Sequence, residues 1–448
     1  MSRTHFVGIG GIGMSAVARV MLARGLPVSG SDSADLPVLA ELRALGADVH
    51  LGYDAAHVLG ASTVVVSSAT RDSNPELVAA REAGTPVVHR SVALARLLDG
   101  HRSIAVAGTH GKTTTTAMLV SALQACGADP SYAVGGELPG GAVNGHHGSG
   151  DLFVVEADES DGSFTAYGPY GAIVTNVEAD HLDHHGTALA YEEAFVAFAA
   201  TVTGPLVLCA DDAGAARLRK RVTGPVRTYG TAAGADLQLT DLRGSTYDAV
   251  LSGELLGTVA LQVAGEHLAR NSAAALLMAV ELGLPAAQAI QGLAAYTGVR
   301  RRMELKGSAA GVRVYDDYAH HPTEVRAQLK AARQVADGGR VVAVFQPHLY
   351  SRTVDFAAGF GAALALADEV VVLDIYGARE DPVPGITGAL IADAVPLDRD
   401  RVRFVADRAQ AAGTAAALAH DGDLVLTLGA GDVTELGPEI LRLLEEGS

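Results

Sequence analysis

The chain has 448 residues, a formal net charge of −18, 49% hydrophobic and 19% charged residues. That length exceeds what one core serves, so two or three domains are expected, and the acidic balance excludes an extended nucleic-acid surface, which needs clustered Lys and Arg. The two cysteines, Cys126 and Cys209, are far apart and fit no metal or redox spacing, which points to a reducing compartment, the cytoplasm. No stretch reaches the roughly 18 uninterrupted apolar residues of a membrane-spanning helix. Phe6 to Val20 carries a regular glycine pattern with no cleavage site after it, so it reads as a folded element and not a signal peptide.

The first segment, residues 1–98, opens with His5-Phe6-Val7 as a strand and continues into Gly8, Gly10 and Gly13, which match G-x-G-x-x-G. Met14 to Arg24 follows as a helix, and a strand around Val28 ends at Asp32, at the acidic position of a dinucleotide fingerprint. Glycines here let backbone approach a diphosphate at a helix N-terminus, so Gly10, Gly11, Ile12, Gly13, Met14, Ser15 and Asp32 are the candidate diphosphate residues. An NAD-dependent dehydrogenase satisfies this pattern, and so does a protein that binds a sugar nucleotide. Thr63 to Val66 is a further strand, ending in Ser67 and Ser68, which either line the ligand crevice or form a polar loop. Asn74-Pro75 is a helix start with Asn as cap.

The second segment, residues 99–297, begins with the apolar strand Ile104 to Ala107 and the loop Gly108, Thr109, His110, Gly111, Lys112, Thr113, running on into Thr114. Strand, glycine loop and helix N-terminus in this order make a triphosphate cradle. Lys112 is placed to reach the β- and γ-phosphates, and the Thr113 hydroxyl to sit on Mg²⁺. The loop is shorter than the common P-loop, because Val106 occupies the position of its first glycine. Gly140 to Gly150 reads as a mobile loop. The strand Leu152 to Val155 then runs into Glu156, Asp158, Glu159 and Asp161. Glu156 is the leading candidate for a Mg²⁺ carboxylate, against the alternative of an acidic helix turn that needs no metal. After the strand Ile173 to Asn176, His181 is a candidate ligand for a second ion with a neighbouring carboxylate to orient it, while His184 and His185 read as surface. Asp236 to Val263 reads as short strands added at a sheet edge. His267 and Asn271, on the helix that follows, are candidates for an adenine edge.

The third segment, residues 298–448, starts with Arg300-Arg301-Arg302, a basic cluster or a charged turn. The strand Val312 to Tyr315 delivers Asp316, Asp317, Tyr318, His320 and His321 before a helix that starts at Pro322. Val341 to Phe345 delivers Gln346, His348 and Arg352, Val370 to Leu373 delivers Asp374 and Tyr376, and Leu424 to Leu428 delivers Gly429 to Asp432. Four strands that end in polar residues define one crevice edge. The expected fold is therefore α/β with three domains: a Rossmann-like N-terminal domain, a P-loop ATPase-like central domain on a mostly parallel sheet, and a Rossmann-like C-terminal domain.

With these motifs in this order, GIGGIGMS at Gly8, GTHGKTTT at Gly108, EADESD at Glu156, DHLD at Asp180, DDYAHHPTE at Asp316, FQPHLYSRT at Phe345 and LGAGD at Leu428, the whole chain resembles the Mur ligases of bacterial cell-wall synthesis. The resemblance implies ATP-dependent amide formation between the lactyl carboxylate of UDP-N-acetylmuramate and L-alanine, through an acyl phosphate. Separate domains joined near residues 98 and 297 imply closure on ligand, because no single domain holds all the chemistry, and a monomer or weak homodimer without nucleic acid or membrane partners is expected. By similarity, Lys112 and Thr113 serve ATP and a first Mg²⁺, Glu156 and His181 a second ion, and His267 and Asn271 the adenine. Arg302 and Asp316 join the ATP residues, Gly10 to Ser15 with Asp32, Ser67 and Ser68 hold the UDP part, and Tyr318, His320, His348 and Arg352 resemble residues that reach nucleotide and substrates. Leu268 and Leu349 stand where many relatives carry Asn and Arg. Phe195 falls where sister ligases carry a carbamylated lysine, which favours the alanine-adding branch over them. A ligase that recycles murein tripeptide is the nearest alternative.

Overall fold

The computed structural model describes residues 3–136, 143–378 and 380–447, and for Asp183 the backbone alone. It forms two compact units, one of Met1–Leu242, Thr246–Leu261 and Ala269–Thr297, the other of Arg243–Ser245, Gln262–Leu268 and Gly298–Ser448. The first unit carries two sheets and the second carries one.

The N-terminal sheet is all parallel, in the spatial order Asp48–Leu51, Val28–Asp32, Arg3–Val7, Ala61–Val66, Val87–His89. That order reverses direction beside the first strand, the place where such sheets open a crevice at their carboxyl ends. The glycine turn lies there and the helix Ile12–Ala23 starts two residues earlier than its sequence suggests. Gly11 is the N-cap and supplies no side-chain hydrogen bond, so the first helical N–H groups have no side-chain cap. The helix Pro75–Glu82 is capped as expected, with Asn74 Oδ1 accepting from the N–H groups of Glu76 and Leu77.

The second sheet has ten strands, in the order Glu254–Ala260, Thr246–Leu251, Leu237–Arg243, Val226–Gly230, Leu206–Cys209, Gly171–Val174, Arg102–Ala107, Leu152–Glu156, Ser131–Ala133, Gly145–His146. Its centre is parallel. The strand Arg102–Ala107 sits between Gly171–Val174 and Leu152–Glu156, so the P-loop, the Glu156 run and the Thr175-Asn176 segment all leave the sheet at one edge. The antiparallel pair at Thr246–Leu251 and Glu254–Ala260 is the expected edge addition. Under the sheet, Phe164 stacks on Phe198 and meets Phe195 edge-on, and Phe195 in turn meets Tyr191, all fully buried. This aromatic block backs the P-loop.

The expectation of a mobile loop from Gly140 to Gly150 is corrected for its described part. Gly145–His146 is a strand paired antiparallel to Ser131–Ala133, and Asp129 and Ser131 take the N–H groups of Ser149 and Gly148. Residues 137–142 lie outside the described residues. Gly145, Gly148 and Gly150 lie close against neighbouring backbone: a Cβ on Gly148 would lie 2.1 Å from the Asp129 carbonyl oxygen.

The second unit holds a six-stranded sheet, Glu304–Ala309, Val312–Asp317, Leu424–Leu428, Val341–Phe345, Glu369–Val372, Val402–Phe404, antiparallel at its first pair and parallel thereafter. Its helices cover both faces over two apolar clusters. The carboxyl ends of its central strands carry the polar segments that the sequence marks.

Candidate active site

The P-loop is preformed. Gly108 has φ +131°, and a Cβ there would lie 2.0 Å from Thr175 Oγ1, so only glycine fits this close approach. The loop is pinned along its length: Thr175 Oγ1 and Asn176 Nδ2 donate to the His110 carbonyl at 2.6 and 3.0 Å, and the His110 N–H donates to Asn176 Oδ1 at 2.8 Å. Thr109 Oγ1 accepts from the Glu178 N–H at 2.9 Å and lies 2.9 Å from the Tyr191 hydroxyl. Gly111, with φ 80°, caps the helix Lys112–Ala125 without a side-chain hydrogen bond. Free N–H groups at a helix start favour an anion. Asn271 lies against Gly111, 3.0 Å from where a Cβ would be.

Lys112 is half-buried among acids. Its ammonium donates to the Gly108 and Thr109 carbonyls at 2.8 and 3.1 Å and pairs with Glu159 at 2.8 Å. Burial works against its charge, but Glu159, Asp158 and Glu156 overcome this and raise its pKa. Burial pushes the fully enclosed Glu159 carboxyl up to about 7 against the pull of Lys112. Asp158 goes the other way: Lys112, Arg90 and the Ser160 hydrogen bonds outweigh burial and hold it down at about 2.

Two pairs flank this lysine. Thr113 Oγ1 donates to Glu156 Oε1 at 3.1 Å, and the other Glu156 oxygen takes the Gly135 N–H at 2.8 Å. His181, in the left-handed region with φ 52°, places Nε2 3.6 Å from Asp180 and 3.9 Å from Glu159. A hydroxyl and a carboxylate oxygen at the start of a P-loop helix are hard donors of the kind that Mg²⁺ takes, and a half-buried imidazole beside two carboxylates also fits a cation.

The N-terminal glycine turn connects to this group through a residue that the sequence reading missed. Arg90 opens the helix Arg90–Leu98, and its guanidinium lies over the turn, where a Cβ on Gly13 would come 2.0 Å from Nη1. The same guanidinium reaches Asp158 Oδ2 at 3.2 Å. A continuous path therefore runs from the glycine turn through Arg90 and Asp158 to Glu159 and Lys112. The signal available in the sequence was the basic pair His89-Arg90 directly after a strand end. Glu159 was visible in the acidic run but was not singled out from it.

Several expected ligand groups are turned to the fold's own use. Asp32 accepts the Gly10 N–H at 2.9 Å and the Ala34 N–H at 3.2 Å, so it closes the glycine turn from behind. Ser15 is buried and its hydroxyl donates to the Ile12 carbonyl at 3.0 Å, and Gly10 and Met14 are buried as well, leaving Gly11, Ile12 and Gly13 as the open part of the turn. Ser67 is half-buried and its N–H donates to Thr70 Oγ1, while Ser68 is exposed past the strand end. His267 lies on the first turn of the helix Glu266–Glu281, its ring beside Gly265.

In the second unit, Asp316 is turned into the fold. It is fully buried, with Thr427 and Thr434 hydroxyls on its two oxygens at 2.6 and 2.7 Å and Arg301 at 3.5 Å, because an enclosed carboxylate must be satisfied where it lies. Arg302 packs over the Tyr318 ring at 5.4 Å. The rim is formed by aromatic and basic groups: His320 meets Tyr318 at 5.4 Å and His348 at 5.9 Å, His348 stacks on Tyr376 at 6.0 Å, and Arg352 Nη1 lies 3.3 Å from His348 Nδ1. Leu349 is buried with φ 70°, its N–H on the Tyr376 carbonyl, so it serves the loop's shape. Leu268 is also buried.

Comparison with known proteins agrees with this geometry. Residues 3–102 match the catalytic domain of the Mur ligase family, 106–279 the Mur ligase middle domain, and 301–431 the Mur ligase glutamate ligase domain. A UDP-N-acetylmuramate--L-alanine ligase of Kineococcus radiotolerans is 59% identical, covering 100% of this chain and 97% of its own. This chain belongs to the Mur ligase family. Among solved structures of Mur ligases, UDP-N-acetylmuramate-alanine ligase MurC from Thermotoga maritima superposes with a TM-score of 0.83 at 29% identity over 100% of both chains. A murein peptide ligase from Psychrobacter arcticus superposes with a TM-score of 0.75 at 25% identity over 99% of both. The three-domain α/β fold expected from the sequence is thus the fold of the Mur ligases.

Proposed function

We propose that this Mur ligase joins the lactyl carboxylate of UDP-N-acetylmuramate to L-alanine at the expense of ATP, in the cytoplasmic synthesis of peptidoglycan precursor. A carboxylate oxygen of the sugar attacks the γ-phosphorus, the bond to the bridging oxygen breaks, and ADP leaves. The amine of alanine then attacks the acyl carbon, phosphate departs, and the nitrogen gives up its proton as the amide forms. The observation that carries the reading is the path from the glycine turn through Arg90 and Asp158 to Lys112, which ties a diphosphate cradle to a triphosphate cradle in one unit.

The open N–H groups of the turn, with Arg90 above them, would hold the UDP diphosphate. The P-loop helix N-terminus and Lys112 would hold the ATP phosphates, and Asn271 would stand near the base. Phosphoryl transfer asks chiefly for positioning and charge neutralisation. Thr113 and Glu156 would hold one Mg²⁺ and His181 with its carboxylate neighbours another; when bound, these ions neutralise charge on the transferring phosphoryl group. Tyr318, His320, His348 and Arg352 are the aromatic and cationic groups that the second unit would offer a substrate.

The test is ADP formation with UDP-N-acetylmuramate and each amino acid in turn, beside the tripeptide that a murein peptide ligase takes. L-Alanine as the preferred acceptor is the expected result. Preference for the tripeptide would replace this reading with the recycling one, and reduction of NAD without ATP turnover would replace both.

A further inference from the structure

The strand Gly145–His146 has no part in the reaction as described, yet its start is built against the substrate side of the N-terminal domain. A Cβ on Gly145 would lie 2.3 Å from the Ala16 carbonyl oxygen, so the strand rests directly on the backbone of the helix Ile12–Ala23. Asn144, just before it, is buried. Its Nδ2 donates to the Ile12 carbonyl at 2.7 Å and to Ser15 Oγ at 3.0 Å, while Ser15 Oγ donates to that same carbonyl. A carbonyl oxygen only accepts, so the Ile12 contact fixes which end of the amide points there. Asn144 is itself held from behind, its carbonyl oxygen accepting the Val134 N–H at 2.8 Å from beyond the strand Ser131–Ala133.

From this geometry we infer that Asn144 is a positioning residue for the sugar nucleotide. It fastens the first turn of the helix that begins at the glycine turn, and so sets the direction of the N–H groups of Ile12, Gly13 and Met14 toward a diphosphate. Ser15, read from the sequence as a ligand contact, is the intermediary. A helix N-terminus binds an anion in proportion to how well its donors are aimed, so the effect of Asn144 falls on the affinity for UDP-N-acetylmuramate and not on ATP or the chemical step. This rests on the proposed assignment of that substrate to the glycine turn.

The experiment compares the wild-type protein with Asn144→Asp, Asn144→Ser and the neighbouring control His146→Ala by titration with UDP-N-acetylmuramate in a calorimeter and by full kinetics, with melting temperature followed for each. Asn144→Asp keeps the volume and loses both donors. It should raise Kd and KM for the sugar nucleotide about 10-fold, the worth of one good buried hydrogen bond, with kcat and the KM values for ATP and alanine within about 2-fold. Asn144→Ser, which keeps one donor on a shorter stem, should recover part of the loss, and His146→Ala should leave all constants unchanged. Equal rises in every KM, or a fall in kcat alone, would overturn the inference. If Asn144→Asp does not fold, Asn144→Ser decides, and an unchanged sugar Kd in that variant overturns it. Failure of the wild-type protein to bind UDP-N-acetylmuramate would instead remove the substrate assignment.

Discussion

The P-loop crevice and the strand-end crevice of the C-terminal unit announce themselves in the sequence in the same way, as an apolar strand that runs into acids, and they fold to opposite ends. After Leu152–Glu156, two of the acids meet cations, Glu159 with Lys112 and Asp158 with Arg90, and Glu156 takes the Thr113 hydroxyl. After Val312 to Tyr315, the acids turn away from the rim: Asp316 is closed by Thr427 and Thr434, and Asp317 by the N–H groups of Met303 and Ala319. What differs is the partner. A buried carboxylate paired directly with a lysine, as Glu159 is, builds a site for charge in motion, whereas one fully enclosed by hydroxyls or backbone amides, with Arg301 only at 3.5 Å, builds a pin. The C-terminal crevice therefore offers rim aromatics and imidazoles, and keeps Asp316 and Asp317 inside.

The strongest way to break this comparison is to remove the cation at the centre of the first crevice. Lys112→Ala should cost roughly 10³-fold or more in phosphate release, as removal of a phosphoryl-clamping charge does, and should also lower the melting temperature because Glu159 is left enclosed without a counter-charge. ADP formation at the wild-type rate in a folded Lys112→Ala protein would mean that the acids do not gather around a working lysine.

A smaller effect separates metal ligands from charge pairs. Glu156→Ala and His181→Ala should each lower activity roughly 10- to 100-fold, and raised Mg²⁺ should restore part of it by mass action. Full activity of either variant at low Mg²⁺ would move that residue from the ion to the lysine's surroundings.

How much of this was legible beforehand follows from the distance over which each contact acts. The two glycine turns, the alternation of strands and helices and the Asn74 cap are local, set by backbone freedom and periodicity within a few residues, and they were read correctly. Arg90 and Asn144 were not read, because their roles are contacts across 68 and 132 positions that no spacing encodes. Glu159 and Asp316 show the same limit from another side. Each sits in an acidic run whose composition was plain, but whether its oxygens meet Lys112 or the threonines at 427 and 434 depends on which distant strand end is adjacent. The described part of the Gly140 to Gly150 loop was misjudged because glycine permits mobility and close packing equally, and only the neighbouring Asp129 and Ala16 backbone decides between them.

The smallest expected effect tests whether the second crevice truly stores its acid as a pin. Burial pushes the Asp317 carboxyl up to about 7, against the opposing pull of Arg302 and of the two backbone N–H groups. Because its pKa is raised in the folded chain above the ordinary 3.8, the folded state holds a proton that the unfolded state has released. Stability from this group is therefore full below that ordinary value, falls as pH rises toward about 7, and is level above. In Asp317→Asn that proton linkage is absent, so the difference in unfolding free energy between wild type and variant, measured by denaturant titration, should shift against the wild type across this window and flatten beyond it. Parallel stability curves would place the Asp317 charge in contact with solvent or with a cation strong enough to keep it ionised, and Asp317 would then be no enclosed pin.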